Sequence, residues 1–397
     1  MSLLDELHTR GPVTVATFME LALYHDEFGY YARAIRRTGR AGDFFTSVDV
    51  GALFGELLEV QIAEIFQLLD TSDVRLRIFD LVEAGAADGR LAADILHAAR
   101  KRDPEFYAAL RLHLVEATAR AREAQASTLA DVADRLATSS AALPESFEGV
   151  LLANELLDAL PVHQVVMRED GLREVYVTTE SSISHEDTKT RREQRTFVPS
   201  RLRGKTPTLQ IVEGTLSTPA LQHYLDALDI RLEPGWRVEI NLRAVDWIRD
   251  AARRLRRGFI LIADYGHDAR ELYSATHAGG TLTSFAAHRA SGPERPLHHP
   301  AWLQQPGEQD ITSHVDFTSI RAAAEDEGMT TIGWLDQTYF LLGLLPSIAD
   351  PESALRNPQY RTLVMPGGLG STHKVLILGK GVGAPALKGC SFKMRVT

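Results

Sequence analysis

The sequence predicts an α/β fold, a largely parallel sheet with helices on both faces, and three observations predict it. Apolar runs near 78–84, 111–116 and 148–153 alternate with helical patterns near 90–101, 118–130 and 156–160, as strand–helix repeats do. The first run, Ile78 to Val82, breaks at Gly85 into a small-residue turn, and a helical pattern through Leu91, Ile95 and Leu96 follows. The composition, 44% hydrophobic and 24% charged over 397 residues, permits a sizeable core. That length suits one large domain with insertions, or two domains.

Residues 1–70 read as a helical cap. Val15, Phe18, Met19 and Ala22 have helical spacing, and Leu53 to Leu69 is helical again. Between them, Gly39 to Ser47 mixes glycines, aromatics and hydroxyls, a composition common in loops that fold over a ligand. Residues 71–165 carry the strand–helix core, with a further strand placed near Ala133 to Ser139. Residues 166–235 read as an insertion. Val162 to Met167 and Leu172 to Thr178 flank Glu169-Asp170-Gly171 as a β-hairpin, and 180–206 is a solvated charged loop. The core resumes over 236–266, with a helix from Val245 to Leu255 and a buried strand from Gly258 to Ala263. Residues 267–313 are a Gly-, Pro- and His-rich excursion long enough to serve as a lid. Over 314–380 the core closes with a helix from Phe317 to Glu327 and strands at Met329 to Leu335 and His373 to Leu378. The tail, 381–397, is expected to be loosely held.

The turn Glu83-Ala84-Gly85-Ala86-Ala87-Asp88-Gly89 lies between a strand and a helix, where backbone can approach a ligand and free N–H groups face it. Leu112 to Val115 ends in Glu116, a carboxylate able to accept hydrogen bonds from both hydroxyls of a ribose. Asp88 would repel a pyrophosphate at the helix start. The combination therefore favours an adenosine cofactor without phosphates, such as S-adenosylmethionine, over a dinucleotide. A tight small-residue turn is also a common way to pack a strand against a helix.

Parallel sheets bind ligands at the carboxyl ends of their strands. Glu83, Glu116, Asn154-Glu155 and Asp264 all lie at such ends. An amide and a carboxylate after the strand at 148–153 would face the reacting methyl group of a sulfonium cofactor. Glu155 can accept hydrogen bonds from an amine or guanidinium. Asn154 and Asp158 are equally placed to cap a helix start at 156–160. Glu308, Asp310, His314 and Asp316 form a second polar block. Thr312 and Ser313 there can cap the next helix, and His314 is a candidate titrating group that can equally be structural. The 14 histidines show no metal-ligand spacing, and the adjacent His298 and His299 precede Pro300, so no metal is expected.

The net charge of −10 argues against a broad nucleic-acid-binding surface. No run of about 18 apolar residues exists, so no membrane span is expected. Cys390 is the only cysteine, which fits a reducing compartment. Met1 to Leu7 lacks the basic and apolar pattern of a signal peptide and is too acidic for a transit peptide, so a cytoplasmic protein is expected. An exposed apolar face on the helix at 53–69 would be a candidate homodimer interface.

Five blocks resemble the MidA-type methyltransferases, relatives of a mitochondrial complex I assembly factor that methylates an arginine. They are Tyr24 to Tyr31, Gly42 to Ser47 with Leu53 to Glu56, Ala153 to Gln164, Ala263 to Gly266, and Pro306 to Phe317. Their order and spacing span about residues 12–345. The resemblance implies a class I methyltransferase fold, a Rossmann-like seven-stranded sheet whose last strand is antiparallel. It implies S-adenosylmethionine as cofactor and a protein arginine as acceptor. By motif, Glu83, Gly85, Gly89 and Glu116 would hold the cofactor, with Thr46, Ser47 and Asn154 near it. Asn154, Glu155 and Asp264 would line the reaction centre, and His314 is the further candidate catalytic residue. Two departures stand out. Ala87 takes the place of a glycine, which costs about 1 kcal/mol or more if that position needs a positive φ. Val48-Asp49 replaces the family's usual Asp-Pro, so that loop is expected to sit differently. A small-molecule acceptor, or a binding or assembly protein that has lost the chemistry, are the alternatives.

Overall fold

The computed structural model describes residues 2–33, 46–70, 76–179, 208–286, 289–291, 300–348, 350–365, 369–370 and 372–392. The expected charged loop at 180–206, most of Gly39 to Ser47, and His298 and His299 lie outside the described residues.

The main sheet contains strands β1 (Phe79–Ala84), β2 (Leu110–Val115), β3 (Leu136–Ser140), β4 (Phe147–Asn154), β5 (Leu255–His267), β6 (Thr330–Asp336) and β7 (His373–Lys380) in the order β3-β2-β1-β4-β5-β7-β6. The first five pair in parallel, and β7 runs antiparallel to both neighbours. An eighth strand, Val315–Asp316, pairs with the end of β5, so the sheet exceeds the expected seven by this short addition. Every residue of β1 is buried, because helices cover both faces.

On one face pack α1 (Leu53–Leu69) and α2 (Arg90–Arg102), whose apolar side chains join Phe79, Leu81, Leu112 and Val150. Phe66, Phe79 and Phe106 form an aromatic triangle there, with ring centroids 5.2 to 5.8 Å apart. Each such fully buried large side chain contributes roughly 1.5–3 kcal/mol. On the other face, α3 (Leu242–Arg254) and α4 (Phe317–Asp326) pack on Val82, Leu151, Ile260 and Ile262. Asn241 caps α3 by accepting from the Ala244 N–H at 2.8 Å, and Ala244, Val245, Ile248, Ala251 and Ala252 form its buried stripe. Two glycines let the central strands approach. A Cβ on Gly258 would sit 2.0 Å from the Gly149 carbonyl oxygen, and one on Gly149 would sit 2.3 Å from that of Asp80.

A second sheet holds the predicted hairpin, His163–Arg168 and Gly171–Thr179, with Leu209–Gly214, Arg237–Ile240 and Val13–Thr14. Arg237–Ile240 thus belongs to the hairpin's sheet, although 236–266 reads as core. The helix Val15–Tyr24 places Phe18 and Met19 against Val166, Val175 and Val177 of this sheet. Part of the 267–313 excursion is also folded. Thr283–Ala286, Arg289–Ser291 and Asp310–Thr312 make a third small sheet.

Several expectations are corrected. No helix forms at 156–160: Glu155 takes a φ of +49° and Leu157 to Leu160 turn directly into Pro161, which disfavours helix in the residue before it. Asn154 and Asp158 therefore cap nothing there. The strand expected from Ala133 starts at Leu136, after a 3₁₀ turn. The tail is packed as far as the described residues go. Leu387 is buried, and the Lys388 and Gly389 N–H groups donate to Glu64 and Gln61 of α1. Both sides of α1 are thereby covered, leaving Leu68 as its exposed large apolar side chain, so the exposed apolar face proposed as a dimer interface is not present.

Candidate active site

The turn after β1 is held from three sides. Gly85 has a φ of +74°, and its N–H and that of Ala86 donate to the Val115 carbonyl at 2.9 and 3.1 Å. A Cβ on Gly85 would lie 3.1 Å from Leu156 Cδ1, a tight contact, and the positive φ itself favours glycine. Ala87 sits at φ +45°. Its N–H donates to Glu116 Oε2 at 3.0 Å and its carbonyl accepts from Gln125 Nε2 at 2.9 Å. Gln125 is in turn fixed by the Ser139 hydroxyl at 2.6 Å. Gly89, at φ +87°, starts α2. Gly85 and Ala87 are exposed while Ala84, Ala86 and Gly89 are buried, so the turn shows an open face.

The two carboxylates expected at this turn are differently engaged. Glu116 Oε1 accepts from the Thr118 N–H at 2.9 Å and its hydroxyl at 2.8 Å, and Oε2 serves Ala87. Glu83 lies beneath, accepting from the Ala92 N–H at 3.1 Å in the first turn of α2. Burial, reinforced by Asp88 and Glu116, pushes its carboxyl up to about 8. Glu83 therefore braces the turn from inside.

The N-terminal cap supplies the next wall. Thr46 and Ser47 are buried. Asp49 Oδ2 accepts from the Thr46 N–H at 3.1 Å and hydroxyl at 2.9 Å, while Oδ1 accepts from Arg90 at 2.8 Å. The altered Val48-Asp49 thus anchors this loop to the start of α2. The Ser47 N–H donates to Glu155 Oε1 at 3.0 Å, linking the cap to the end of β4.

At that end, Asn154 Oδ1 is buried with no hydrogen-bond partner. The Glu155 N–H donates to the Ala263 carbonyl at 2.8 Å. Asp264 is fully buried, and its oxygens accept from the N–H groups of Leu156 at 3.1 Å, Leu157 at 2.7 Å and Tyr265 at 2.8 Å. Asp264 supports the Glu155 turn from beneath rather than facing outward, and burial pushes its carboxyl up to about 7. His373, also fully buried, faces the Leu369 carbonyl with Nδ1 at 2.9 Å, which fixes a proton there. Its Nε2 lies 3.3 Å from Glu155 Oε1, and its ring packs at a 45° tilt with its centroid 3.9 Å from that of Tyr265. Nearby, burial and then Asp264, Glu155 and Asp310 raise Asp158 well above the usual carboxylate range. Tyr31 donates to Asp310 Oδ1 at 2.9 Å, and Tyr24 to the Ala159 carbonyl at 3.1 Å.

His314 is placed elsewhere, beside His267 and His277, with ring centroids 5.2 and 5.9 Å away. Burial, then those two rings, push it down to about 4. Asp316, rather than Thr312 or Ser313, caps α4, accepting from the Thr318 N–H at 2.9 Å. Gln125, Arg90 and His373 carry no signal of their roles in the sequence, because each acts through a partner distant in the chain. Asp310 belonged to a block already marked as polar beyond what capping requires.

A sequence model described as "Putative S-adenosyl-L-methionine-dependent methyltransferase" matches residues 57–335. The chain belongs to this family. It is 29% identical over 364 residues to the mouse protein arginine methyltransferase NDUFAF7, mitochondrial, covering 85% of this chain and 72% of the relative. With the Drosophila melanogaster homolog the figures are 28% over 406 residues, 94% and 82%. A crystal structure of a Burkholderia thailandensis protein bound to S-adenosyl-homocysteine superposes with a TM-score of 0.81 at 26% identity, covering 99% of this chain and 95% of that one. This methyltransferase uses S-adenosylmethionine, and the open face of the turn, the Glu116 carboxylate and the unpartnered Asn154 Oδ1 fit such a ligand. The expected cytoplasmic location does not stand, because the curated relatives are mitochondrial proteins. Among the described residues, no helix is long and apolar enough to cross a membrane.

Proposed function

We propose that this methyltransferase methylates a guanidinium nitrogen of arginine in a protein. The observation that carries the reading is the partly exposed Glu155 carboxylate at the sheet rim, held by the Ser47 N–H at 3.0 Å, with the buried Asp158, Asp264 and Asp310 gathered behind it. A guanidinium entering there meets a carboxylate that can accept its N–H groups and fix its plane. The names of the relatives, protein arginine methyltransferases, point the same way.

Bound S-adenosylmethionine supplies an electrophilic methyl group on a sulfonium, and the chain's residues do the positioning. Glu116 and the open face of the turn would hold the adenosine part, with Asn154 Oδ1 accepting from a donor of the methionine part. Glu83, Gly85 and Gly89 shape the turn, and Thr46 and Ser47 close the site from the cap. The Glu155 carboxylate, held through Oε1 by the Ser47 N–H with His373 Nε2 beside it, orients the acceptor nitrogen and takes the proton it loses.

The test is methyl transfer from labelled S-adenosylmethionine to a mitochondrial protein fraction and to arginine-containing peptides, with amino-acid analysis of the product. Labelled methylarginine that disappears with Glu155→Gln supports the proposal. Label confined to small molecules, or to residues other than arginine, overturns it.

A further inference from the structure

The excursion at 267–316 carries a cluster that methyl transfer does not use. His267 ends β5, His277 closes the 3₁₀ turn Ala275–His277, and His314 precedes the strand Val315–Asp316. One ring nitrogen from each lies within 4.8 Å of the others. The centroids of His267 and His277 are 4.8 Å apart. We propose that His267, His277 and His314 bind a divalent transition-metal ion of the zinc class.

Four observations carry the assignment. The Nδ1 atom of His314 is buried without a hydrogen-bond partner, which is costly for an isolated imidazole and is relieved when the ring finds a ligand. The outer sides of two rings meet one residue: Glu271 offers its backbone carbonyl to His277 Nδ1 at 3.1 Å and its carboxylate Oε1 to His267 Nδ1 at 3.0 Å. A carbonyl or carboxylate behind a ligating imidazole fixes the tautomer that presents Nε2 inward. The nearby cation that acts on His267, Lys374, is ion-paired to Asp336 and so opposes a metal less. Finally, three neutral imidazoles suit zinc, cobalt or nickel, whereas magnesium and calcium prefer oxygen ligands.

Ligands about 2.0–2.1 Å from a tetrahedral zinc stand about 3.3 Å apart, so binding draws the three rings inward by side-chain rotation. A water completes the set. The ion would tie the turn at 275–277 and the segment before α4 to the end of β5, fastening the excursion beside the Glu155 turn.

The experiment is titration of chelator-treated full-length protein with Co2+, read by its visible d–d absorption, followed by displacement with Zn2+. The expected result is one Co2+ per chain with four-coordinate bands that Zn2+ abolishes. Glu271→Gln should weaken binding about 10–100-fold, His277→Ala by more and with loss of the bands, and His223→Ala, an exposed histidine elsewhere, not at all. Because Glu271 is on the surface, its variant decides the matter even if His277→Ala does not fold. Absence of d–d bands, or bands and affinity unchanged in the Glu271 and His277 variants, overturns the site.

Discussion

The Ala87 N–H donates to Glu116 Oε2 at 3.0 Å, joining the turn after β1 to the end of β2. That bond is made with Ala87 at φ +45°, a region that costs a residue with a Cβ roughly 1–2 kcal/mol. Ala87→Gly removes the strain but adds freedom to the unfolded chain. The net expectation is a gain of about 0.5–1 kcal/mol in urea unfolding, with S-adenosylhomocysteine bound as tightly or more tightly by calorimetry. A less stable glycine variant would show that the surrounding bonds, and not the residue, set this conformation.

Glu116 accepts three donors, the Ala87 N–H and both donors of Thr118. Glutamine has one acceptor oxygen, so Glu116→Gln turns an NH2 group toward a donor. Losing a hydrogen bond to a charged group costs about 1.5–3 kcal/mol. Calorimetric affinity for S-adenosylhomocysteine should fall by about 10–100-fold, and wild-type affinity in the variant would remove Glu116 from the cofactor site.

Glu155 and His373 separate turnover from binding. Glu155→Gln keeps an oxygen for the Ser47 N–H, so the cap stays docked. It removes the negative charge beside His373 Nε2. We expect kcat to drop at least about 100-fold, in the range usual for loss of a general base, with S-adenosylhomocysteine affinity within about threefold of wild type. His373→Asn should lower kcat less. Equal losses in kcat and affinity for Glu155→Gln would recast Glu155 as part of the cofactor cradle.

The strands of the sheet were legible because burial on both faces leaves runs such as Val150 to Ala153 and Phe259 to Ala263 wholly apolar. The acidic strand ends were legible for the same reason, as the first charges after such runs. Their roles were not. Nothing local distinguishes Asp264, spent on three backbone N–H groups, from Glu155, which partly faces solvent. Leu156 to Leu160 has helix-forming residues, yet Pro161 and the Asp264 carboxylate impose a turn. The packed tail and the three clustered histidines depend on segments far apart in the chain, where neither period nor spacing carries a signal.

Glu83 gives the stability of the protein a pH dependence of definite sign. Its carboxyl has an ordinary value of 4.5 and is pushed up to about 8 by burial, despite the Ala92 N–H that favours its charged form. Between these values the folded state holds a proton that the unfolded chain has released. The contribution is therefore complete below pH 4.5 and is lost as pH rises through about 8. One pKa unit corresponds to about 1.4 kcal/mol, which sets the steepest slope this group can impose per pH unit. Glu83→Gln keeps a carbonyl oxygen for the Ala92 N–H and cannot ionise. Its unfolding free energy should fall less steeply than that of the wild type between pH 5 and about 8, so that the variant gains on the wild type as pH rises. Urea unfolding at half-unit steps across that range measures the difference, and parallel curves would mean that Glu83 is ionised in the folded protein.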